Sequence, residues 1–293
     1  DHLFIKEKAL NFCKQQELKK AIRKVESIME KGDFESYDKC EELIRDAIKI
    51  GDGDQGSFEI FTELEKLLEE DYRHPVPTGV DGLDNILNGG LAKGEIGVIL
   101  APTGVGKTTM LTRFANTAFN MGYNVLQIFF EDNPKIIQRK HFTCWTGIPN
   151  DKLSDHKETV LDKADEMKKT GGKLILKKLP SDEMSMLQIK NQVRKIISEG
   201  TKIDVILIDY IDCILPDRAF NDEWKGEGSV MRKFEGMCHE LDIAGWTATQ
   251  GNRTSISSEV VTTDMMGGSI KKAQVGHVII SVAKTLQQKE LGL

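Results

Sequence analysis

The stretch Ile96-Gly97-Val98-Ile99-Leu100-Ala101-Pro102-Thr103-Gly104-Val105-Gly106-Lys107-Thr108-Thr109 decides the fold of this 293-residue chain. An apolar run from Ile96 to Leu100 ends on a glycine-bearing turn, and the turn leads into residues whose Leu111, Phe114, Ala115 and Ala118 share one helical face. Strand, glycine-rich loop and helix in that order make the setting in which a P-loop works. Gly104 and Gly106 let backbone N–H groups turn inward around phosphate oxygens, and the helix start adds its positive end. Lys107 supplies a point charge, and Thr108 supplies a hydroxyl for Mg²⁺. Thr103, Val105 and Thr109 complete the candidate nucleotide contacts of the loop, with Arg139 as a further one downstream. Ala101 stands where such loops usually carry their first glycine, a position that closes the strand and does not touch phosphate.

Outward from this loop, short apolar runs recur at 124–130, 174–176, 205–208, 246–248 and 278–282, separated by helical segments. Strand and helix alternating in this way predict an α/β fold, a mostly parallel sheet with helices on both faces and ligands at the strand ends. Val205 to Ile208 delivers Asp209 to such an end, where it can hold Mg²⁺ through the metal's water shell. Tyr210 and not Glu follows, which disfavours the ATPase classes that keep their catalytic carboxylate directly after that aspartate. Glu131, closing the first run after the P-loop helix, is the candidate general base that orients the attacking water. Gln250, just past 246–249, places a neutral amide where the presence of a γ-phosphate can be sensed.

The remainder bounds the function. With 39% apolar and 29% charged residues and seven prolines, the chain has enough to bury and is not disordered. No apolar run reaches the ~18 residues needed to cross a bilayer, and no signal-peptide order opens the chain, so a cytoplasmic protein without membrane contact is expected. Five cysteines, odd in number and never in a C-x-x-C pair, read as reduced thiols. His141 and Cys144 are two potential metal ligands at helical spacing without a second pair, so zinc is not expected. Residues 1–74 carry 13 Lys+Arg against 19 Asp+Glu, whereas 75–293 balance at 27 each. Any polyanion must therefore be met by local loops and not by a global basic field. At the front, 3–29 shows helical periodicity through Leu18, Ala21, Ile22, Val25, Ile28 and Met29, and 37–50 places Leu43, Ala47 and Ile48 together. Pro75-Val76-Pro77 opens the main unit, and Thr78-Gly79-Val80-Asp81 reads as a capping box with Thr78 as N-cap. The boundaries expected are a helical segment over 1–74, whose apolar stripes either pack on the large unit or dock on another subunit, and a catalytic unit over 75–293.

Together these residues resemble the RecA-like ATPase domain of DnaB-type replicative DNA helicases, especially the forms found in tailed phages. Thr78 to Asp84, Gly89-Gly90-Leu91 and Gly94-Glu95 look like that family's lead-in segment. Lys107 and Thr108 match its Walker A residues, Glu131 its catalytic glutamate, and Asp209-Tyr210 its Walker B pair. Thr249-Gln250-Gly251-Asn252-Arg253 is similar to its Ser-Gln-x-x-Arg sensor motif, and Gly267-Gly268-Ser269-Ile270 looks like its DNA-holding loop.

The resemblance implies ATP and Mg²⁺, a homo-hexameric ring moving 5′ to 3′ on single-stranded DNA, and primase and loader as further partners. It assigns catalysis to Glu131, Lys107 and Gln250, metal to Thr108 and Asp209, and DNA contact to Gly267, Gly268, Ser269 and Arg253, with Lys271 and Lys272 as nearby charge. Arg218, Lys225 and Arg232 flank a candidate second lumen loop. The helix over 3–29 resembles the family's linker helix, which docks on the adjacent subunit; in the family a collar domain precedes that helix and an arginine finger follows the last matched strand. The chain opens on Asp1 and stops at Leu293, so it reads as a piece lacking both. The same core also suits a recombinase filament or a KaiC-like signalling ring without unwinding activity. A P-loop small-molecule kinase would call for a lid and an acceptor pocket, and the long docking helix speaks against it.

Overall fold

A computed structural model describes residues 2–30, 37–49, 68, 73–216, 223–252, 255, 260–266, 270–285 and 287–288. The chain divides into two units, Asp1–Tyr72 and Arg73–Leu293. In the first, helix α1 (His2–Glu30) packs on α2 (Tyr37–Lys49). Ala21 and Ala47 are buried, while Ile22 and Met29 stand exposed, so the covered stripe of α1 is narrower than its periodicity suggests. The Ile48 side chain lies outside the described residues.

The second unit holds one six-stranded sheet: β1 (Ile96–Ala101), β2 (Val125–Phe129), β3 (Leu174–Lys178), β4 (Val205–Asp209), β5 (Ala244–Gln250) and β6 (Val278–Ser281). All six form where the apolar runs predict them. The spatial order is β3-β2-β4-β5-β1-β6, with every pairing parallel. Successive side chains point to opposite faces, so each strand feeds two cores. Val98, Leu100, Leu126, Ile128, Ile206 and Ile208 join the layer under α7 (Met186–Ser198) and α8 (Glu223–Leu241), with Ile189, Val193, Met231 and Phe234. Ile99, Val125, Val205, Leu207 and Trp246 face α4 (Lys107–Asn120) through Leu111, Phe114, Ala115 and Ala118. Trp246 and Phe114 pack with ring centroids 4.7 Å apart and planes tilted by 56°. Trp246 also packs against Gly97, where a β-carbon would fall 2.2 Å from its ring.

On the α4 side, α5 (Pro134–Thr146) starts with Asn133 accepting from the Lys135 N–H and ends at Gly147 in the left-handed region. Its His141 is buried, with Nδ1 2.6 Å from Asn116 Oδ1 and Nε2 3.0 Å from Gln127 Oε1, and burial lowers its pKa to about 4. His141 is thus a hydrogen-bonded core residue, whereas Cys144 is exposed. Beyond it, α6 (Lys157–Met167) leads to β3.

Two local expectations are corrected. The helix after Pro77, α3 (Asp81–Ile86), has Val80 as N-cap without a side-chain capping bond. Thr78 instead donates from its N–H (2.7 Å) and hydroxyl (2.8 Å) to Asp84, which also takes the Gly79 N–H. Asp84 satisfies more donors than a box built on Asp81 would. Likewise 223–241 is helical, so Arg232 sits on the exposed face of α8 and not in a loop. Arg218 and the Lys225 side chain lie outside the described residues.

Ahead of β1, Arg73 forms a clasp. Its guanidinium donates to the carbonyls of Leu87 (2.5 Å) and Gly90 (3.1 Å) and to both Glu95 oxygens (3.1 and 2.8 Å). Burial raises the Glu95 pKa, but the bonds from Arg73 and the Ala92 N–H outweigh it and hold the carboxyl below its ordinary value.

Candidate functional site

An all-parallel sheet sets every C-terminal strand end along one edge, so residues closing β1, β2, β4 and β5 meet there by topology. Ala101 lies opposite Gln250 in register, and Phe129 opposite Asp209. Above them opens a cleft of about 290 Å³ that gathers Thr103, Gly104, Gly106, Lys107, Thr108, Thr109, Glu131, Asp209 and Gln250. Nine residues singled out in the sequence therefore share one concavity. Val105 is half-buried in the same turn and outside that lining, its N–H turned to the Pro102 carbonyl at 3.4 Å.

The loop is held open by backbone conformation. Gly104 (φ +78°) and Gly106 (φ +110°) occupy the left-handed region, where a side chain strains the chain. The space beside them is clear: a β-carbon at Gly104 meets nothing within 4 Å. Gly106 is also the N-cap of α4, so the unpaired N–H groups of its first turn face the cleft.

Charge in the cleft is only partly compensated. Lys107 Nζ reaches back to the carbonyls of Ala101 (3.3 Å) and Pro102 (3.4 Å) and lies 6.0 Å from the Tyr210 ring centroid. Burial holds its pKa below the ordinary lysine value, against the pull of Asp209, Asp212 and Glu131. Asp209 is 8% exposed, and burial raises its pKa despite a hydrogen bond from the Thr108 hydroxyl and the nearby Lys140 charge. A half-buried cation pushed down and a buried acid pushed up are both relieved by a ligand carrying negative and positive charge together.

Glu131 stands at the mouth, its Oε1 accepting from the Tyr210 hydroxyl at 3.1 Å. Burial, then contacts with Cys213 and Glu131, raise the Tyr210 pKa, so this hydroxyl keeps its proton. Beside it Lys140 pairs with Asp132 at 2.7 Å, and both line the cleft.

Lys140 and its helix neighbour Arg139 are placed differently. Arg139 is turned about 100° from Lys140 on the helix and lies outside the cleft lining. Its guanidinium binds Asn150 through the side chain (3.0 Å) and the carbonyl, with Ser154 Oγ at 3.4 Å. The signal that finds Lys140 is helical phase counted from the Asn133 cap.

Of the DNA-facing candidates, Gly267, Gly268, Ser269, Arg253 and the Lys271 side chain lie outside the described residues. Lys272 is corrected outright. It is 2% exposed, salt-bridged to Asp212 and, at 3.0 Å, to Glu227. A charge committed inside the fold cannot also face a phosphate backbone in solvent.

Residues 75–266 match the family described as DnaB-like helicase C terminal domain. The replicative DNA helicase DnaB of Treponema pallidum is 23% identical over 225 residues, 73% of this chain and 50% of that protein. The DNA repair protein RadA of Aquifex aeolicus is 30% identical over 131 residues, 45% of this chain and 26% of that protein. The chain thus spans half or less of these relatives' length. Among solved structures, a DnaB-like replicative helicase studied with its primase interactions superposes with TM-score 0.71 at 16% identity. That match covers 93% of this chain and 66% of the other, and establishes the RecA-like fold.

Proposed function

Because the chain belongs to the family of DnaB-like helicase C-terminal domains, we propose that its cleft binds ATP and hydrolyses it to drive a replicative DNA helicase. The observation that carries this reading is the meeting of Lys107, Thr108, Glu131, Asp209 and Gln250, delivered by four strand ends, in one cleft. In this reading the first-turn N–H groups of α4 and the Lys107 ammonium take the β- and γ-phosphate oxygens. The open space beside Gly104 and the only partly compensated charges of Lys107 and Asp209 fit such a ligand. Thr108 and Asp209 would hold Mg²⁺, which would supply charge that neutralises the triphosphate.

Glu131, aimed by the Tyr210 hydroxyl, orients and deprotonates the attacking water at the γ-phosphate. Lys140 offsets Asp132 and Asp209, which keeps the floor of the cleft from repelling the triphosphate. Gln250 hydrogen-bonds the γ-phosphate and registers its loss. Single-stranded DNA is met by Gly267, Gly268, Ser269, Arg253 and Lys271, without Lys272. Hexamer assembly, 5′-to-3′ travel, contact with primase and loader, and residence in the cytoplasm complete the proposal. No helix among the described residues is long and apolar enough to cross a membrane. The expected boundary at 74/75 moves to 72/73, where the two units divide, and the helical unit ahead of it docks on a neighbouring subunit in this proposal.

A second reading is a RecA/KaiC-like ATPase, a recombinase filament or signalling ring without unwinding activity, which the 30% identity to a DNA repair protein over 131 residues motivates. Turnover of ATP with and without oligo-dT, followed by strand separation on a forked duplex, tests both. Turnover stimulated by oligo-dT and fork unwinding support the helicase; stimulation without unwinding shifts the assignment to the second class. A chain that binds no ATP ends both.

A further inference from the structure

Asp212, in the 3₁₀ turn Ile211–Cys213 after β4, receives donors from three directions. The Thr249 hydroxyl donates to its carboxylate at 3.0 Å, the Gln250 backbone N–H at 3.0 Å, and Lys272 Nζ at short range. Thr249 is fully buried. Lys272 belongs to the short helix Ile270–Ala273, and its second partner, Glu227 of α8, gives an ion pair without hydrogen-bond alignment. One carboxylate thus ties the end of the Gln250 strand to the chain that follows residues 267–269. The chain that precedes them is fastened to the same strand end. Gly251 bridges Met266, and the Asn252 N–H donates to the Met265 carbonyl at 2.7 Å. Met266 is buried and Met265 packs on the core.

A charge pair with one ion buried and the other four-fifths covered is an expensive way to fill space, because most of the hydration of both is given up. Apolar side chains of similar volume would often serve packing as well. What the pair supplies is directional: it fixes a backbone N–H and a hydroxyl at the end of β5 relative to Lys272. We propose that Asp212 and Lys272 are positioning residues which hold Gln250 at the cleft and join its movement to both flanks of residues 267–269. This rests on the nucleotide reading of the cleft and deepens it. Neither residue touches the triphosphate in this proposal. Their removal therefore slows turnover and weakens its response to DNA, with nucleotide binding preserved.

The test compares the full chain with Lys272→Met, Asp212→Asn and the double variant. Affinity for a fluorescent ATP analogue is measured, together with kcat and KM for ATP, with and without oligo-dT. The proposal expects each single variant to lose about tenfold in kcat, equivalent to about 1.4 kcal/mol. Oligo-dT stimulation is expected to fall in parallel, with analogue affinity within about twofold and the double variant no worse than the worse single. Lys272→Arg, which keeps the charge, is expected to recover most of the response. Unchanged kcat in both singles, losses that multiply in the double, or a change confined to KM would each overturn it. Should a single variant fail to fold by circular dichroism, Thr249→Val takes its place. That variant deletes only the hydroxyl bond to Asp212, and wild-type kcat and DNA response in it would overturn the proposal equally. A wild-type chain that binds no analogue refutes the nucleotide reading itself, a result distinct from any of these.

Discussion

Replacing Tyr210 by Phe isolates a single hydrogen bond. The variant keeps the ring 6.0 Å from the Lys107 ammonium and removes only the hydroxyl, which lies 3.1 Å from Glu131 Oε1. Hydrogen bonds to charged groups contribute about 1.5–3 kcal/mol, and the lower end applies here because the contact is exposed. Part of that bond also exists in the ground state, so the barrier should rise by about 1–1.4 kcal/mol, a five- to tenfold fall in kcat. The assay is steady-state ATP turnover alongside binding of a fluorescent ATP analogue, repeated in a Glu131→Gln background. The expected result is lower kcat, unchanged analogue affinity and no additional loss from Tyr210→Phe once Glu131 is gone. Unaltered kcat, or an equal loss in the Glu131→Gln background, refutes the claim that Tyr210 acts by aiming Glu131.

Lys107→Ala should reduce ATP turnover by more than about 10²-fold, since one point charge on the transferring phosphate is lost, as measured by phosphate release. Glu131→Gln should bind the ATP analogue like wild type and turn over slowly; equal turnover removes Glu131 from its role. Gly97→Ala places a β-carbon 2.2 Å from the Trp246 ring. It should cost about 1–3 kcal/mol of stability, read as a lower urea midpoint. His141 titrates near 6.5 when unfolded and at about 4 when folded, because burial disfavours its charged form. Between those values the unfolded state binds the extra proton, so stability present above pH 6.5 should drain away as pH falls toward 4. The shift corresponds to up to about 3 kcal/mol. Urea melts at pH 7 and 4.5 should show that loss in wild type and a smaller one in His141→Gln.

Much of the molecule is legible in its residues because the strands are buried on both faces. Val205 to Ile208 and Ile96 to Leu100 have no polar face to confuse with a helix, and their ends deliver Asp209 and the glycine turn to one edge. Charged side chains are less readable, since composition does not say which of them the fold consumes. Lys271 and Lys272 are adjacent and chemically identical, yet Lys272 is sealed against Asp212 by contacts 60 residues apart in sequence. Arg139 and Lys140 pose the same problem on a helix, where a one-residue shift in phase decides which faces the cleft. Thr78 reads as a cap from its neighbours, but Asp84 six residues on outcompetes that role. In each case the deciding partner is distant or out of phase, information that spacing alone does not carry.

The Arg73 clasp has a mechanical consequence. Arg73 is the first residue of the second unit, and its guanidinium grips Glu95, whose next residue begins β1. At the far end of that strand lies the glycine turn. A tug on the polypeptide ahead of Arg73 therefore bypasses the intervening turn and short helix, entering the central sheet along a strand axis that points at the phosphate cradle. Conversely, a recoil at the cradle has a stiff rod of about 20 Å, six residues at ~3.3 Å each, by which to reach that anchor.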